Sequence, residues 1–426
     1  MTAPAPPSPL RHLRARGEEE PQPTTKVELF FDLVYVFAIT QLSHLILDDL
    51  SVAALAQATF LLVVVWWAWI YTTWMANWFD PASPPVRTVL TGVMLASLLM
   101  AAALPEAFGD HGMLFAASYV ALQVGRNAAA MTLLARDHRL RDVFERLLFW
   151  SVVSGALWLA GAILESDQRL LLWMPALALE LVAPVARYWL PGRGRAATTD
   201  WDVEGGHFAE RCQLFIIIAL GESIVVTGAA ATDAGLTSTV VACLAVAFLE
   251  TVGLWWLYFG TPAGRSHAAM SSSDDPGRVA RDAYTYLHLL IVAGIIGTAA
   301  ADGLLIAGPH DPQQGVGTAV VLGGPALFLL GESLFQWRTI GTASAKRLAA
   351  AALIIALAPL APELSTLALT GMVTGLLTAV AIWEVGAGTP TGWGSRQFPA
   401  HRTPSRSSLE ADSALAPRAK QKGRQS

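Results

Sequence analysis

Long apolar runs follow one another along almost the whole chain, and they constrain the fold more than any other feature. Most of them reach the roughly 20 residues that a helix needs to cross a ~30 Å hydrocarbon core. Hydrophobic residues make up 54% of the chain and charged residues only 14%, against about 25% charged in soluble domains. These patterns predict an all-α, polytopic membrane protein. About twelve transmembrane helices are expected, at 28–47, 52–75, 87–104, 111–134, 146–164, 170–190, 208–229, 236–259, 282–302, 316–338, 346–361 and 365–385.

Both ends of the chain differ from the apolar region between them. Residues 1–25 are rich in proline and charge and lack the apolar stretch of a cleavable signal peptide. Residues 386–426 are rich in glycine, proline, serine and basic residues. We expect two disordered cytoplasmic tails, 1–25 and 386–426, of which the second is basic. Between them we expect a first six-helix half at 26–195 and a second at 207–385.

Basic residues are distributed unevenly among the connections between the apolar runs. All but two of the 28 Lys and Arg residues lie in the termini, or in and beside the even-numbered connections; the exceptions are Arg126 and Arg169. By the positive-inside rule, both termini are therefore expected in the cytoplasm. The net charge of −5 gives no indication of a nucleic-acid partner. The expected partners are the lipid bilayer and an ion or small solute, with the oligomeric state left open.

The two halves of the apolar region resemble each other faintly. The first run opens with Glu28 and the seventh with Glu210, and the second and eighth carry the stretches "WWAWIY" and "WWLYF". An even number of crossings in each half places the two halves the same way up, related by an axis along the membrane normal. We expect two parallel six-helix halves, with the first and seventh helices facing each other at the centre.

Polar side chains inside the runs are the candidate functional residues. An ionisable side chain at mid-bilayer costs about 3 kcal/mol on insertion scales, so it requires a partner, a water-filled cavity or a function. In the first run polar residues recur at multiples of four, a spacing that places neighbours on one helix face. The expected transport path or polar core consists of Asp32, Thr40, Gln41, Arg126, Glu222, Ser223, Glu332 and Ser333. The expected charge cluster at its cytoplasmic entrance consists of Glu28, His207, Glu210 and Arg211.

Each group of candidates also has a purely structural interpretation. Glu28 and Asp32 could cap the first helix, with Lys26 as their salt-bridge partner. Thr40 and Gln41 could form interhelical hydrogen bonds, and the glycine before each of Glu222 and Glu332 could let helices approach closely.

Arg126 is the cation that the pattern predicts to be buried. We expect it to pair with Glu222 or Glu332, which leaves the other acid free to titrate or to bind a cation, unless all three form a static ionic link. Glu250 and Asp302 fall near run ends and are not included in the expected path.

Other residue types narrow the possible functions. Most of the 15 tryptophans, including Trp66 and Trp67, are interpreted as aromatic belts at the membrane surface. The two cysteines exclude a disulfide framework and a cysteine-based metal site. No catalytic or cofactor-binding motif is present, so neither enzymatic activity nor a metal or other cofactor is predicted.

Three stretches, "ELFFDLVYVFAITQLSH", "WWAWIYTTWMANWFD" and "HFAERCQLFIIIALGESIVV", resemble the low temperature requirement A (LtrA) family of bacterial membrane proteins. The resemblance covers roughly residues 25 to 385 and implies a multi-pass protein of the bacterial cytoplasmic (inner) membrane. The family name records a growth requirement and implies no mechanism. Carried over by position, the residues of interest are Glu28, Asp32, Gln41, His44, Asn77, Asp80, His207, Glu210, Arg211, Gly221, Glu222 and Ser223.

The first run is also similar to the pore helix of endolysosomal and bacterial potassium channels built from two six-helix repeats. That helix begins Arg-x-x-x-Phe-Ser-Asp and continues to Ala-Ile-Thr; here Lys26, Phe30, Asp32 and 38–40 stand at the corresponding spacing. Lysine replaces the arginine, Phe31 replaces the serine, and the seventh run lacks the motif.

The function predicted from the sequence is movement of an ion or small solute across the membrane, possibly coupled to protons. One alternative is a cation channel whose pore is lined by the first and seventh helices. A second is a membrane scaffold or lipid-acting protein in which the buried acids are structural.

Overall fold

A computed structural model describes residues 12–14, 23–136, 138–166, 168–197, 201, 203–260 and 275–386. Within these ranges the chain is α-helical and has isolated β-bridges but no β-strand. The described helices are α1 (Lys26–Asp48), α2 (Val52–Trp78), α3 (Pro84–Ala102), α4 (Gly112–Leu133), α5 (Arg139–Ile163), α6 (Leu170–Val185), α7 (Gly205–Ala234), α8 (Ser238–Phe259), α9 (Pro276–Ala307), α10 (Val316–Ile340), α11 (Ala345–Ala356) and α12 (Thr366–Gly386).

Nine helices of the described chain are long and apolar enough to cross a membrane: α1, α2, α3, α5, α7, α8, α9, α10 and α12. Their outward faces carry exposed apolar side chains such as Phe30, Phe248 and Ile382, with 62%, 59% and 67% of their surface accessible. An outer surface of this kind is suited to lipid and not to water. The predicted all-α, polytopic membrane fold is therefore confirmed.

The first and seventh helices begin at well-defined caps. The Thr25 hydroxyl accepts the Glu28 N–H, and Glu28 Oε2 accepts the Thr25 N–H at 2.8 Å, which forms a reciprocal capping box. At the start of α7, the Glu204 side chain accepts the N–H groups of Gly206 and His207. These caps satisfy backbone donors that a helix start leaves unpaired.

Helix α9 lies at the centre of the bundle and packs against α1, α2, α7, α8, α10 and α12. In its most apolar stretch, 78% of the residues are buried. Helix α9 begins with an α-helical turn, Pro276–Val279, which is followed by a π-helical segment, Ala280–Leu287. Such segments are rare and frequently occur at functional sites.

Close contact between α9 and α10 depends on glycines. A Cβ at Gly324 would lie 2.5 Å from the Thr298 backbone N, and one at Gly331 would lie 3.0 Å from the Ile291 backbone N. A Cβ at Gly221 would meet nothing within 4 Å. The predicted close approach is confirmed for the glycine before Glu332 and is wrong for the glycine before Glu222.

Tryptophans of α2 lie in the core, and not in a surface belt. Trp66 and Trp67 are each 1% exposed and Trp69 is fully buried. The belt interpretation was wrong for this group because α2 continues to Trp78, which places these rings well inside the helix. The indole N–H of Trp66 donates to the carbonyl oxygen of Thr285 in the π-helical segment, at 2.7 Å.

Candidate functional site

Helices α1 and α7 run side by side in parallel, and polar side chains connect them at three levels. Glu28 meets His207, Asp32 meets Arg211, and Thr40 meets Glu222. Residue numbers increase together in the two helices along these pairs. We name these three pairs the polar seam. From Glu28 to Thr40 the seam extends about 18 Å, at ~1.5 Å per residue.

The first level of the seam is a buried cluster that includes a residue of the N-terminal region. Glu28 Oε1 lies 2.8 Å from His207 Nε2 and accepts a bond from Arg14 Nη2 at 2.8 Å. Asn77 Nδ2 lies 3.2 Å from His207 Nδ1 and donates to the Glu204 carbonyl at 2.9 Å. Glu28 thus caps α1, as one interpretation predicted, but its salt-bridge partner is Arg14 and not Lys26.

Arg211, a member of the predicted entrance cluster, lies one helical turn deeper than His207. Its guanidinium donates from Nη2 to Asp32 Oδ1 at 2.7 Å and is fully buried beside the rings of Phe31 and Trp69. Glu210 remains at the start of α7, where its Oε2 accepts the Thr24 N–H at 3.2 Å. The predicted entrance cluster therefore divides between two levels, because α7 turns adjacent residues toward different neighbours.

At the second level, the two oxygens of Asp32 have different surroundings. Oδ1 accepts both Arg211 and the Trp69 indole N–H, the latter at 2.8 Å. Oδ2 is buried and has no hydrogen-bond partner among the described residues. Asp32 therefore faces the protein interior, does not cap α1, and is ion-paired through one oxygen only.

At the third level, a hydroxyl of α1 binds a glutamate of α7. Thr40 Oγ1 donates to Glu222 Oε2 at 2.7 Å, and Glu222 is 1% exposed. Its other oxygen, Oε1, is buried without a hydrogen-bond partner in the described chain. The neighbouring candidates Gln41 and His44 take no part in these hydrogen bonds; Gln41 is half-buried and His44 is exposed.

Arg126 is buried, as predicted, but the predicted pairing is wrong. Its guanidinium donates to the side chains of Gln123 and Thr72 and reaches neither Glu222 nor Glu332. The reason is topological: α4 packs against α2, α3 and α5, and not against the seam.

Glu332 is paired with Arg347, which the sequence pattern places at the start of a run, beside a connection. Arg347 Nη1 donates to Glu332 Oε2 at 2.8 Å, and Arg347 also binds both carboxylate oxygens of Glu384. This cluster joins α10, α11 and α12. The Ser333 hydroxyl donates to the Leu329 carbonyl within its own helix, so Ser333 lies outside the seam.

Three buried carboxylates were omitted from the predicted path: Glu180 in α6, Glu250 and Asp302. Glu250 lies near the middle of α8 and is 1% exposed, and Asp302 lies in α9 and is fully buried. The sequence-based position near a run end was wrong for Glu250. Asp302 does lie near the end of α9, but it is nevertheless fully buried. The available signal was the acid itself, because an ionisable residue inside an apolar run is a functional candidate by default.

The chain matches a known protein family over most of its length. A family model described as Bacterial low temperature requirement A protein (LtrA) matches residues 24–382. The chain belongs to the LtrA family. A protein of Rhizobium meliloti (strain 1021), named Uncharacterized protein RA0937, is 36% identical over 358 residues, which are 84% of this chain and 88% of that protein. No solved structure matches the chain, so the similarity to two-repeat potassium channels gains no support.

The stretches that carry the LtrA resemblance supply the seam. The first contributes Glu28, Asp32 and Thr40, and the third contributes Arg211 and Glu222. The second stretch contributes two groups that hold them: Trp69 binds Asp32, and Asn77 lies beside His207. In this LtrA-family chain, Asp80 instead accepts the Ala82 N–H in the turn after α2.

Proposed function

We propose that this LtrA-family membrane protein moves a cation or small solute across the bilayer in exchange for, or together with, protons. Glu222 is the residue assigned to change its protonation state during the cycle. The observation that carries the proposal is the setting of its carboxylate: buried at 1% exposure, held by one threonine hydroxyl, with its second oxygen unpartnered among the described residues.

Glu222 differs from the other acids near the seam in the groups that it contacts. Asp32 and Glu332 each receive a buried arginine, which compensates their charge. Glu222 receives no arginine: Thr40 donates to it, and Ser43 and the exposed His44 also act on it electrostatically. An ionised carboxylate there would lack a direct ion pair, and a charge at mid-bilayer costs about 3 kcal/mol. A neutral acid, or an acid with a bound cation, avoids that cost. The position of Glu222 therefore supports binding and release of a proton or another cation by its carboxylate.

The packing of the seam favours a transporter over a permanently open channel. The paired side chains touch directly at all three levels, and Glu28, Asp32 and Glu222 are each 1% exposed. Passage of a hydrated ion between α1 and α7 would require these contacts to separate. A transporter that alternates between closed and open arrangements accommodates this requirement.

The proposed location is the bacterial cytoplasmic membrane, with both termini in the cytoplasm. The support is the distribution of basic residues, which favours the even-numbered connections and the tails. In this orientation, the cluster of Arg14, Glu28 and His207 lies at the cytoplasmic end of the seam, and Glu222 lies deeper in the membrane.

The test is ion flux in proteoliposomes that contain purified full-length protein. Potassium, sodium and pH gradients are imposed in turn on wild type, Glu222→Gln and Thr40→Val. We expect proton-coupled flux in wild type, loss of coupling in Glu222→Gln and a reduced rate in Thr40→Val. Asp233→Asn, at an exposed position near the end of the same helix, serves as the matched control and should behave like wild type.

Alternative results would point to the other functional classes. Fast potassium flux without proton movement, unchanged in Glu222→Gln, would support a channel and contradict the proposal. Absence of flux for every ion, with the same result for correctly folded Glu222→Gln, would support a scaffold or lipid-acting protein.

A further inference from the structure

A second acidic site lies outside the seam, where α8 and α9 meet. Asp302 is fully buried and Glu250 is 1% exposed. The two carboxyl groups interact electrostatically, and Glu250 is the charged residue whose field reaches Asp302. Two like charges in a water-free interior repel each other strongly, so both carboxylates cannot be ionised together.

The hydrogen bonds around the pair are unequal. Glu250 Oε2 accepts the Thr374 hydroxyl of α12 at 3.5 Å. Neither oxygen of Asp302 has a hydrogen-bond partner among the described residues. The Ser223 hydroxyl of α7 interacts electrostatically with Asp302. Ser223 is 1% exposed, and its hydroxyl has no hydrogen-bond partner within the described chain. A buried, unpartnered hydroxyl thus faces a buried, unpartnered carboxyl.

No described cation compensates the pair. Glu250 and Asp302 experience no arginine, lysine or histidine from the described parts of the helices around them. On these helices the charged and titratable groups near the core have other partners, and α2 has no charged residue. The pairs are Glu28 with His207 and Asp32 with Arg211 between α1 and α7, Glu222 with Thr40, Asp282 with Arg281 and Arg338, His288 with Tyr258, and Glu332 and Glu384 with Arg347.

We propose that Asp302 and Glu250 form a proton-binding site in which Asp302 holds the proton. Glu250 has a hydroxyl contact, from Thr374 at 3.5 Å, whereas neither oxygen of Asp302 has a hydrogen-bond partner among the described residues. A protonated Asp302 can donate to the Glu250 carboxylate, which removes the repulsion between the two acids. The binding step is the addition of one proton to the Asp302 carboxylate.

The chemistry of the site favours a proton over a metal ion. The described residues contain no group of three or more His, Cys, Asp or Glu side chains that could hold a metal. Oxygen-rich sites for hard divalent cations use six or more ligands, whereas two carboxyls and two hydroxyls surround this position.

The role of the site in transport rests on the proposed function, but proton binding itself does not. Residues 222 and 223 are adjacent in α7. Glu222 binds Thr40 of α1, and Ser223 interacts electrostatically with Asp302 of α9. Helix α7 therefore contacts both acidic sites at the same level, and movement of this helix would affect both together. On this basis the pair is the second proton site of the proposed transporter.

The test is infrared spectroscopy of the purified full-length protein in detergent, in sodium-free buffer near neutral pH. A protonated carboxyl has a carbonyl band distinct from that of a carboxylate. In wild-type protein made with carboxyl-labelled ¹³C aspartate, we expect part of this band to shift, because the proton is on an aspartate. The ¹³C-shifted component, which comes from aspartate only, should be lost in Asp302→Asn and retained in Asp233→Asn, the exposed control.

Several results would overturn the proposal. One is a wild-type spectrum without a protonated aspartate, a measurement that needs no variant and so does not depend on the folding of Asp302→Asn. Another is a ¹³C-shifted aspartate component that persists in folded Asp302→Asn. Loss of the wild-type band on addition of sodium, but not of choline, would assign the site to sodium and overturn the proton assignment.

Failure of transport would be recognised separately. If the aspartate band behaves as expected while proteoliposomes show no flux of any ion, the proton site stands and the proposed transport function fails. If flux is proton-coupled but the aspartate band is absent, the transport function stands and this site assignment fails.

Discussion

Replacement of Arg347 by methionine should destabilise the protein strongly. The guanidinium is fully buried and binds Glu332, which is 1% exposed, and Glu384, which is 16% exposed. It also donates to the carbonyl oxygen of Leu257 in α8, at 2.8 Å. Arginine at this one position therefore connects four helices, α8, α10, α11 and α12.

The magnitude follows from what the substitution leaves behind. Removal of one partner from a buried ion pair costs about 3–5 kcal/mol, because the remaining charge stays buried without compensation. Arg347→Met leaves two carboxylates, of which Glu332 is the more deeply buried. We expect a loss of about 3–5 kcal/mol in the free energy of unfolding, set mainly by Glu332.

The matched control is Arg193→Met. Arg193 also contacts two acids, Glu145 at 2.7 Å and Asp142 at 3.3 Å, but its side chain is 53% exposed. Exposed ion pairs contribute about 0–1 kcal/mol, so this variant should unfold almost like wild type. The two arginines thus have the same number of acidic partners and differ in burial.

The assay is equilibrium unfolding of purified protein in mixed micelles, followed by tryptophan fluorescence. A triple variant with Arg347→Met, Glu332→Gln and Glu384→Gln should recover much of the loss, since a neutral replacement of a whole buried cluster is often tolerated. Equal losses for Arg347→Met and Arg193→Met would refute the reasoning. So would a triple variant that is no more stable than Arg347→Met alone.

Three further predictions test the packing, a buried hydrogen bond and the topology. Gly324→Ala should destabilise the protein by about 1–3 kcal/mol through overpacking against α9. The control Gly323→Ala, whose Cβ would meet nothing within 4 Å, should unfold like wild type. Equal stability of the two variants would contradict the close contact between α9 and α10. Trp158→Phe removes the 3.0 Å bond to buried Glu180 and should cost about 1–3 kcal/mol in the same unfolding assay, an expectation that wild-type stability would contradict. Protease sites fused to the two termini should both be protected in right-side-out vesicles, and cleavage of only one would exclude an even number of crossings.

The general fold could be predicted because hydrophobic periodicity and length are local properties. An apolar run of about 20 residues indicates a membrane helix whatever its neighbours are. The pairing of α1 with α7 was also accessible, because faint similarity between the halves suggested that Glu28 and the start of α7 occupy equivalent places. Asp32 and Glu222 could be identified from the cost of burying an acid in an apolar segment.

The partners of the buried charges could not be predicted, because pairing depends on which helices touch. Arg126 looked like the natural partner of Glu222, but α4 packs against α2, α3 and α5. Arg347 lies within one turn of the start of α11, a position that resembles an ordinary positively charged flank. Its burial results from the packing of α10 and α12 around this short helix. The sequence contains no local mark of that arrangement.

The most direct test of the central claim is proton movement driven by a cation gradient. Proteoliposomes that contain a pH-sensitive dye are given an imposed gradient of the cation that wild type transports, and Glu222→Gln is compared with Asp233→Asn. The account predicts proton movement in wild type and in Asp233→Asn, and none in Glu222→Gln although that protein remains folded. Proton movement of wild-type size in Glu222→Gln would contradict it.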